Sequence, residues 1–462
     1  MIEFNYDCLI IGAGPAGYAC ALKLAKNGKK VCVIESGCAG GTCLNKGCIP
    51  TTLLLNTAEF IKKLKYSSEF GIDLPSGYKI NIDKIILRKN SVIEIHRKGI
   101  RQSFKSFKID YIEGTASFID NHSLSVILNE TGNRHIITGN DIVIASGGIP
   151  FVPKEYKVDN KNIFITEQIL ELNEIPKKLA ILGAGVTGCE FAYFYNELGC
   201  EVYLIELAEK ILPINLDEDI HKIFVRELKK NKINVITGSK IISNEITDSG
   251  INLKFDNGNF LITDKLLLTL GRRGSSLNLN LDSLGIKTGE KGFIPVNDFY
   301  QTSVSNIFAI GDVAGKFLYA HTASAEGILV AEYIMGKREK NNFSNIPFTI
   351  FTYPEIGWAG LTEEEAVMKN IPIKKGVFHF RSSGRAHTLG EISGLVKLLI
   401  DSRTGYIIGA HIIGSRATDL IHTVTLAMTQ NIKISELTEL IAAHPSMTES
   451  LVEAANIIDE EI

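Results

Sequence analysis

No stretch of eighteen or more apolar residues occurs in the 462-residue chain, so no membrane-spanning helix is expected. The N-terminus has no basic region ahead of a long apolar run and enters a strand at Asp7–Ile11, so no secretory signal is read there. The expected compartment is therefore the cytoplasm, with an organellar matrix left open, since a presequence already removed would leave no trace. Charge of one sign is missing too. The 49 Lys and Arg and 52 Asp and Glu give a net −3, mixed along the chain, which offers no footprint for nucleic acid or membrane. The one basic stretch, Lys98 to Lys108, is interleaved with Phe104 and Phe107 and reads as a solvated helix face. Cysteine is scarce: eight in this length is too sparse for a secreted disulfide scaffold. Cys8, Cys20, Cys32, Cys189 and Cys200 lie in apolar or helical contexts as buried thiols, and nothing gives Cys38 a role.

The length suggests roughly three domains at about 150 residues each. The stretch DCLIIGAGPAGYACALKLAKNGKKVCVIES reads as strand, glycine turn, helix, strand, with Ala19, Leu22 and Ala25 as the helix's apolar stripe. It carries Gly12-x-Gly14-x-x-Gly17 and then Glu35. This pattern suits a dinucleotide: a tight turn, close backbone approach to a pyrophosphate at a helix N-terminus, and an acid for ribose hydroxyls. The pattern recurs as Gly183-x-Gly185-x-x-Gly188 with Glu206, and both acids fall 23 positions after the first glycine of their triplet. Two such sites imply electron traffic between two nucleotide cofactors. An acid at 206 favours NAD over NADP.

GGTCLNKGCIPTT, residues 40–52, sets Cys43 and Cys48 five positions apart. A metal site would need two more ligands, and no second close Cys or His pair exists. A structural disulfide would close a very short loop and add little. Five residues of regular helix rise about 7.5 Å, beyond the roughly 7 Å Cα separation a disulfide tolerates. Bridging thus requires a distorted first turn, for which Gly47 and Pro50 are suited. Lys46 and the positive end of the following helix favour a thiolate. A redox pair is the favoured reading.

GGTCLNKGCIP, the two fingerprints, AIGDVAG at 309–315 and AAHPSMTES at 442–450 together resemble the flavin disulfide reductases, the class I pyridine nucleotide-disulfide oxidoreductase family, and within it the dihydrolipoyl dehydrogenases. The resemblance runs nearly end to end. It implies an α/β fold of two Rossmann-like dinucleotide-binding domains plus a C-terminal α+β dimerisation domain. The expected boundaries are an FAD-binding part over 1–147, an NAD-binding domain over 148–270, a return to the FAD-binding or central part over 271–345, and dimerisation over 346–462, with KREKNN before Pro347 as a polar boundary. Gly12, Gly14, Gly17 and Glu35 would hold the adenosine diphosphate part of FAD. Gly41, Thr42, Thr52, Gly114, Asp312 and Ala320 would line the rest of FAD. Gly183, Gly185, Gly188, Glu190, Glu206 and Gly271 would serve the NAD side. His444 with Glu449 would be the thiol-activating base, supplied across an obligate homodimer. The implied reaction oxidises a dihydrolipoyl dithiol, free or on a lipoyl domain of a 2-oxoacid dehydrogenase complex. Cys43 would exchange with substrate and Cys48 would face the flavin.

Two positions depart from the family pattern. Where the family reads CIPSK, with a lysine paired to the glutamate equivalent to Glu190, this chain has Thr52. The expectation is a lower flavin potential and a raised Glu190 pKa. Ala442 stands where many relatives carry a second histidine. The competing readings are an NAD(P)H-dependent, glutathione-reductase-like enzyme for another thiol disulfide, and a catalytically weakened flavoprotein component of a complex.

Overall fold

The computed structural model describes residues 5–75, 77–337 and 343–460. Two parallel sheets carry the two fingerprints. In the first, Tyr6–Ile11 runs between Val31–Glu35 and the second half of Arg134–Ile144, with Ile307–Ala309 outside the latter and Asp110–Phe118 outside Val31–Glu35. Its central strands read LII, VCVI and IVI and are buried on both faces, which is why they are continuous apolar runs. Ser123–Leu128 folds back antiparallel onto the outer strand and onto the first half of Arg134–Ile144. Because 307–309 joins this sheet, the chain leaves the first unit and returns to it.

The second sheet orders Asn234–Ile236, Glu201–Ile205, Lys178–Leu182, Lys265–Leu268 and Ile163–Ile165, all parallel. An antiparallel meander, 241–263, lies beyond it. A five-stranded antiparallel sheet, built from strands between Phe348 and Gly414, forms the C-terminal unit and is covered by the helices Ala417–Thr429 and Glu449–Asp459.

Two expectations need correction. The first helix, Pro15–Lys26, buries Ala16, Gly17, Cys20, Ala21 and Leu24, whereas Ala19, Leu22 and Ala25 are only partly covered. Its tightest partner is the helix Ala320–Ile334, where a Cβ on Gly327 would lie 2.3 Å from the Ala16 carbonyl oxygen. Close helix contact selects small residues, so Ala16, Gly17 and Cys20 face the neighbouring helix while Leu22 and Ala25 pack at the margin of the core. The basic stretch 98–108 closes the helix Ile82–Ser106, but Phe104 is buried beneath it, so only part of that stretch is a solvated face. Of the KREKNN stretch, residues 338–342 lie outside the described residues.

Candidate active site

The cysteine segment is two helices. Gly41–Lys46 is followed by Cys48–Lys65, with Gly47 between them at φ −140° and ψ −114°. The expected distortion is thus a full break. A Cβ on Gly47 would lie 3.2 Å from the Thr42 carbonyl oxygen and 3.6 Å from the Cys43 Cα, so a larger residue would push the two helices apart. Pro50 falls in the first turn of the second helix, where its missing N–H leaves nothing unpaired, and Thr51 donates its N–H to the Gly47 carbonyl at 3.0 Å. The break brings Cys43 and Cys48, both free thiols, into hydrogen-bonding contact.

The two sulfurs are electrostatically unequal. Cys48 is held below the usual thiol range, first by the hydrogen bond from Cys43, then by its own backbone N–H and by Arg272, against burial and Asp312. Cys43, the donor, is pushed up by that same bond and by burial. Cys48 is the more exposed of the two.

Arg272 is a residue that sequence reasoning passed over. Its Nε meets Asp312 Oδ2 at 3.0 Å and its guanidinium also donates to the Gly148 carbonyl. Asp312 sits in the short 3-10 turn Gly311–Ala314, just ahead of Ala320 at the start of the helix Ala320–Ile334. Burial pushes its carboxyl up, and Arg272 opposes this. Arg272 follows Gly271, which is at φ +88° and faces open space, in the stretch GRR at 271–273.

The first fingerprint fits a dinucleotide. The outer glycines are needed by the protein itself, because a Cβ on Gly17 would lie 1.9 Å from the Gly12 carbonyl oxygen and one on Gly12 would lie 2.3 Å from that of Ala145. The middle glycine is different: a Cβ on Gly14 would meet only the Gly41 Cα, at 3.8 Å. Backbone is therefore presented here for a ligand at the N-terminus of the 15–26 helix, with Gly41 and Thr42 beside it. Glu35 accepts the N–H of Ala13 and of Gly37, both at 2.7 Å, and so is anchored at the turn. Gly114 pairs with Leu128, and a Cβ there would lie 2.7 Å from the Ile127 carbonyl oxygen, which gives this glycine a strand-packing reason.

The second fingerprint repeats the arrangement. Gly183 and Gly188 are crowded, whereas a Cβ on Gly185 would meet nothing within 4 Å. Glu206 accepts the N–H of Ala184 at 2.8 Å and of Ala208 at 3.0 Å. These residues fit a second nucleotide as well as the first set does. Glu190, two residues past Gly188, is half-buried and accepts the N–H of Phe351 at 3.2 Å. No lysine or arginine forms an ion pair with it among the described residues. Burial pushes its pKa from 4.5 up to about 7; Cys48 pushes the same way, and the Phe351 N–H opposes. Thr52, partly covered, lies on the 48–65 helix, which packs against Glu190's helix, Val186–Glu197.

His444 and Glu449 form a pair of their own. His444 Nδ1 meets Glu449 Oε1 at 2.8 Å, and Ser446 donates its N–H to Oε2 at 2.7 Å. Both interactions hold Glu449, at the first turn of the helix Glu449–Asp459, below the usual carboxylate range. The His444 side chain is 81% exposed, and with Nδ1 engaged, Nε2 is left as the reactive nitrogen. Among the described residues, no hydrogen bond or ion pair joins this pair to Cys43 and Cys48 within one subunit. No group of three or more metal-binding side chains occurs among the described residues either.

Residues 6–327 match the Pyridine nucleotide-disulphide oxidoreductase family, and residues 346–455 match its dimerisation domain. The dihydrolipoyl dehydrogenase of Chlamydia trachomatis is 37% identical over 452 residues, covering 97% of this chain and 96% of its own length. The solved structure of LpdA from Mycobacterium tuberculosis superposes with a TM-score of 0.92 over 97% of this chain and 99% of its own, at 24% identity. The HOCl-induced flavoprotein disulfide reductase RclA from Escherichia coli does so at 0.88 over 98% and 100%, at 28% identity.

Proposed function

Because the chain belongs to the pyridine nucleotide-disulphide oxidoreductases, enzymes that use FAD and NAD(H), we propose that it oxidises a dihydrolipoyl dithiol to its disulfide with NAD+ as acceptor. The observation that carries this reading is the Cys43–Cys48 pair at a helix break, with the more acidic sulfur beside Arg272 and Asp312.

In the oxidised enzyme Cys43 and Cys48 form a disulfide. His444 of the partner subunit, oriented by Glu449, takes a proton from one substrate thiol on Nε2. The resulting thiolate attacks Cys43, forming a mixed disulfide and releasing Cys48 as a thiolate. The second substrate sulfur attacks the first, and its proton passes to Cys43 as that sulfur leaves. This closes the product disulfide and leaves Cys43 reduced, so the substrate has lost two electrons and two protons. Cys48, the sulfur held acidic, stores the charge next to Arg272. When bound, FAD supplies the two-electron carrier and NAD+ the hydride acceptor. The first glycine turn and Asp312 would hold the former, and the second turn with Glu206 the latter. The dimerisation-domain match supports a homodimer, and a lipoyl-bearing 2-oxoacid dehydrogenase complex is the partner that goes with this substrate. A cytoplasmic setting goes with it too; among the described residues, no helix is long and apolar enough to cross a membrane.

Glu190 favours one second reading. An unpaired carboxylate beside Cys48, ionised in part at neutral pH, disfavours added electrons at the pair and the flavin. Such a bias suits NADH-driven reduction of a thiol disulfide. Anaerobic titration of the purified protein with dihydrolipoamide, followed by visible absorbance, tests the first reading. A long-wavelength thiolate–flavin band after one equivalent is expected. A band formed by NADH alone, with turnover of another disulfide, would transfer the assignment to the second reading. A band formed by neither reagent would point to the weakened flavoprotein.

A further inference from the structure

Lys397 is almost completely buried, its side chain 2% exposed, in the strand Leu395–Asp401 of the C-terminal sheet. Its ammonium reaches Asp217 at 2.9 Å, Asp219 at 2.8 Å and Glu363 at 2.8 Å. Glu363 belongs to the C-terminal unit, in the helix Glu363–Met368. The two aspartates instead open the helix Glu218–Lys230 of the nucleotide unit, and Asp217 caps it by accepting the Asp219 N–H at 3.1 Å. One cation thus ties two units of the fold together at a point that neither fingerprint touches.

The tie leads back to the second fingerprint through residues 207–216. This segment leaves the sheet at Glu206, which accepts the Ala184 N–H inside the glycine turn. It then bends back so that Leu212 donates its N–H to the Ala184 carbonyl at 2.8 Å. Leu212 is held at φ +46°, a left-handed conformation that a leucine adopts only when its surroundings require it. Tight turns follow, with Ile214 N–H to Leu212 O at 2.6 Å and Leu216 N–H to Ile214 O at 2.8 Å, and the segment ends at Asp217. Beneath it, a cleft of about 260 Å³, lined by Leu212, Ile214, Leu216, Glu365 and Met368 among others, separates it from the 363–368 helix. Ile211 and Leu212 are buried and Gly238 donates its N–H to the Ala208 carbonyl at 3.0 Å, so the nucleotide unit holds the first half of the segment; beyond Leu212, with that cleft beneath it, the segment is fixed at its far end by Asp217 and Lys397.

We propose that Lys397 is a positioning residue for the nucleotide half-site, holding Asp217 so that the 207–216 segment keeps Leu212 closed on Ala184 between Gly183 and Gly185. Lys397 touches neither cofactor nor substrate. Its effect falls on the affinity for NAD(H) and leaves the dithiol half-reaction alone. The inference rests on the reading of 183–206 as the NAD site.

The test uses the full-length holoenzyme as wild type, Lys397→Met and Asp219→Asn. NADH affinity is read directly by fluorescence titration and as the KM for NADH with ferricyanide as acceptor. The dithiol half-reaction is read separately, as the rate of flavin bleaching by dihydrolipoamide without nucleotide. The expected result for Lys397→Met is NADH affinity weaker by about tenfold, equivalent to about 1.4 kcal/mol, with the dithiol rate unchanged. Asp219→Asn, which removes a half-exposed partner, should shift affinity the same way by less. Should Lys397→Met not accumulate as folded holoenzyme, Asp219→Asn carries the test. Unchanged NADH affinity in the folded variants overturns the proposal, as does a parallel fall in both half-reactions, which would make Lys397 a staple of the whole fold. A wild-type protein that binds no NADH overturns the reading of the site itself, an outcome visible before any variant is compared.

Discussion

Replacing Glu190 by Gln removes a charge without changing shape, and the structure sets what should follow. Glu190 titrates at about 7 in the folded protein against its ordinary 4.5. Below pH 4.5 the carboxyl is protonated in both folded and unfolded states and nothing is lost. Between 4.5 and 7 the unfolded chain ionises first, so stability falls as pH rises; above 7 the loss is complete. The step from 4.5 to about 7 corresponds to about 3 kcal/mol at most. The group is only half-buried, so solvent screening reduces this to about 1–2 kcal/mol. Glutamine can still accept the Phe351 N–H. Glu190→Gln should therefore match wild type at pH 4.5 and exceed it above pH 7.

The readout is the apparent Tm of the holoenzyme from pH 4.5 to 8.5, where a gain of about 2 °C is expected only at the alkaline end. A second readout is independent of stability. Cys48 raises the Glu190 pKa, so by reciprocity the Glu190 charge opposes the Cys48 thiolate. In Glu190→Gln the long-wavelength thiolate band of the two-electron-reduced enzyme should persist to lower pH. A Tm difference that does not vary with pH, together with an unmoved thiolate midpoint, would refute the placement of an uncompensated carboxylate beside Cys48.

Three further outcomes follow from the same geometry. Cys48→Ser should abolish the thiolate band, whereas Cys43→Ser should retain it, since Cys48 is the sulfur held acidic; anaerobic spectra of the two variants decide this. Glu449→Gln, which removes the negative charge that stabilises an imidazolium at His444, should slow flavin reduction by dihydrolipoamide by roughly 10²-fold while leaving NADH–ferricyanide turnover intact, as stopped-flow and steady-state assays would show. Thr52→Lys should supply the missing cation, returning Glu190 toward its ordinary value and raising the flavin potential in dye-equilibration titrations.

Both dinucleotide turns were legible in the sequence because their glycines answer to backbone sterics, which local spacing expresses directly. The structure divides each triplet into outer glycines demanded by the fold and a middle one with open space before it. Spacing alone could not make that distinction. The cysteine pair was legible for a similar reason: a disulfide across a five-residue interval requires a break in the helix, and Gly47 supplies it. His444–Glu449 was legible through the resemblance carried by AAHPSMTES together with its short separation, and what the pair acts on lies outside its own contacts.

The parts that escaped the sequence are those in which the partner is remote. Arg272 meets Asp312 across 40 positions, and Lys397 meets Asp217 across 180. No periodicity or local motif encodes such encounters, since neither member of either pair names its partner. The strand around Lys397 even argues against a charge, because LVKLLID is otherwise a buried apolar run. That misfit was the available signal. A lysine in a fully buried strand must find carboxylates, because leaving an ammonium unpaired in the interior costs several kcal/mol. Asp217 and Asp219, two acids at the start of an amphipathic helix, are where such a lysine finds them. Read this way, the sequence position that looks least suited to its element marks where the nucleotide unit is fastened to the rest of the protein.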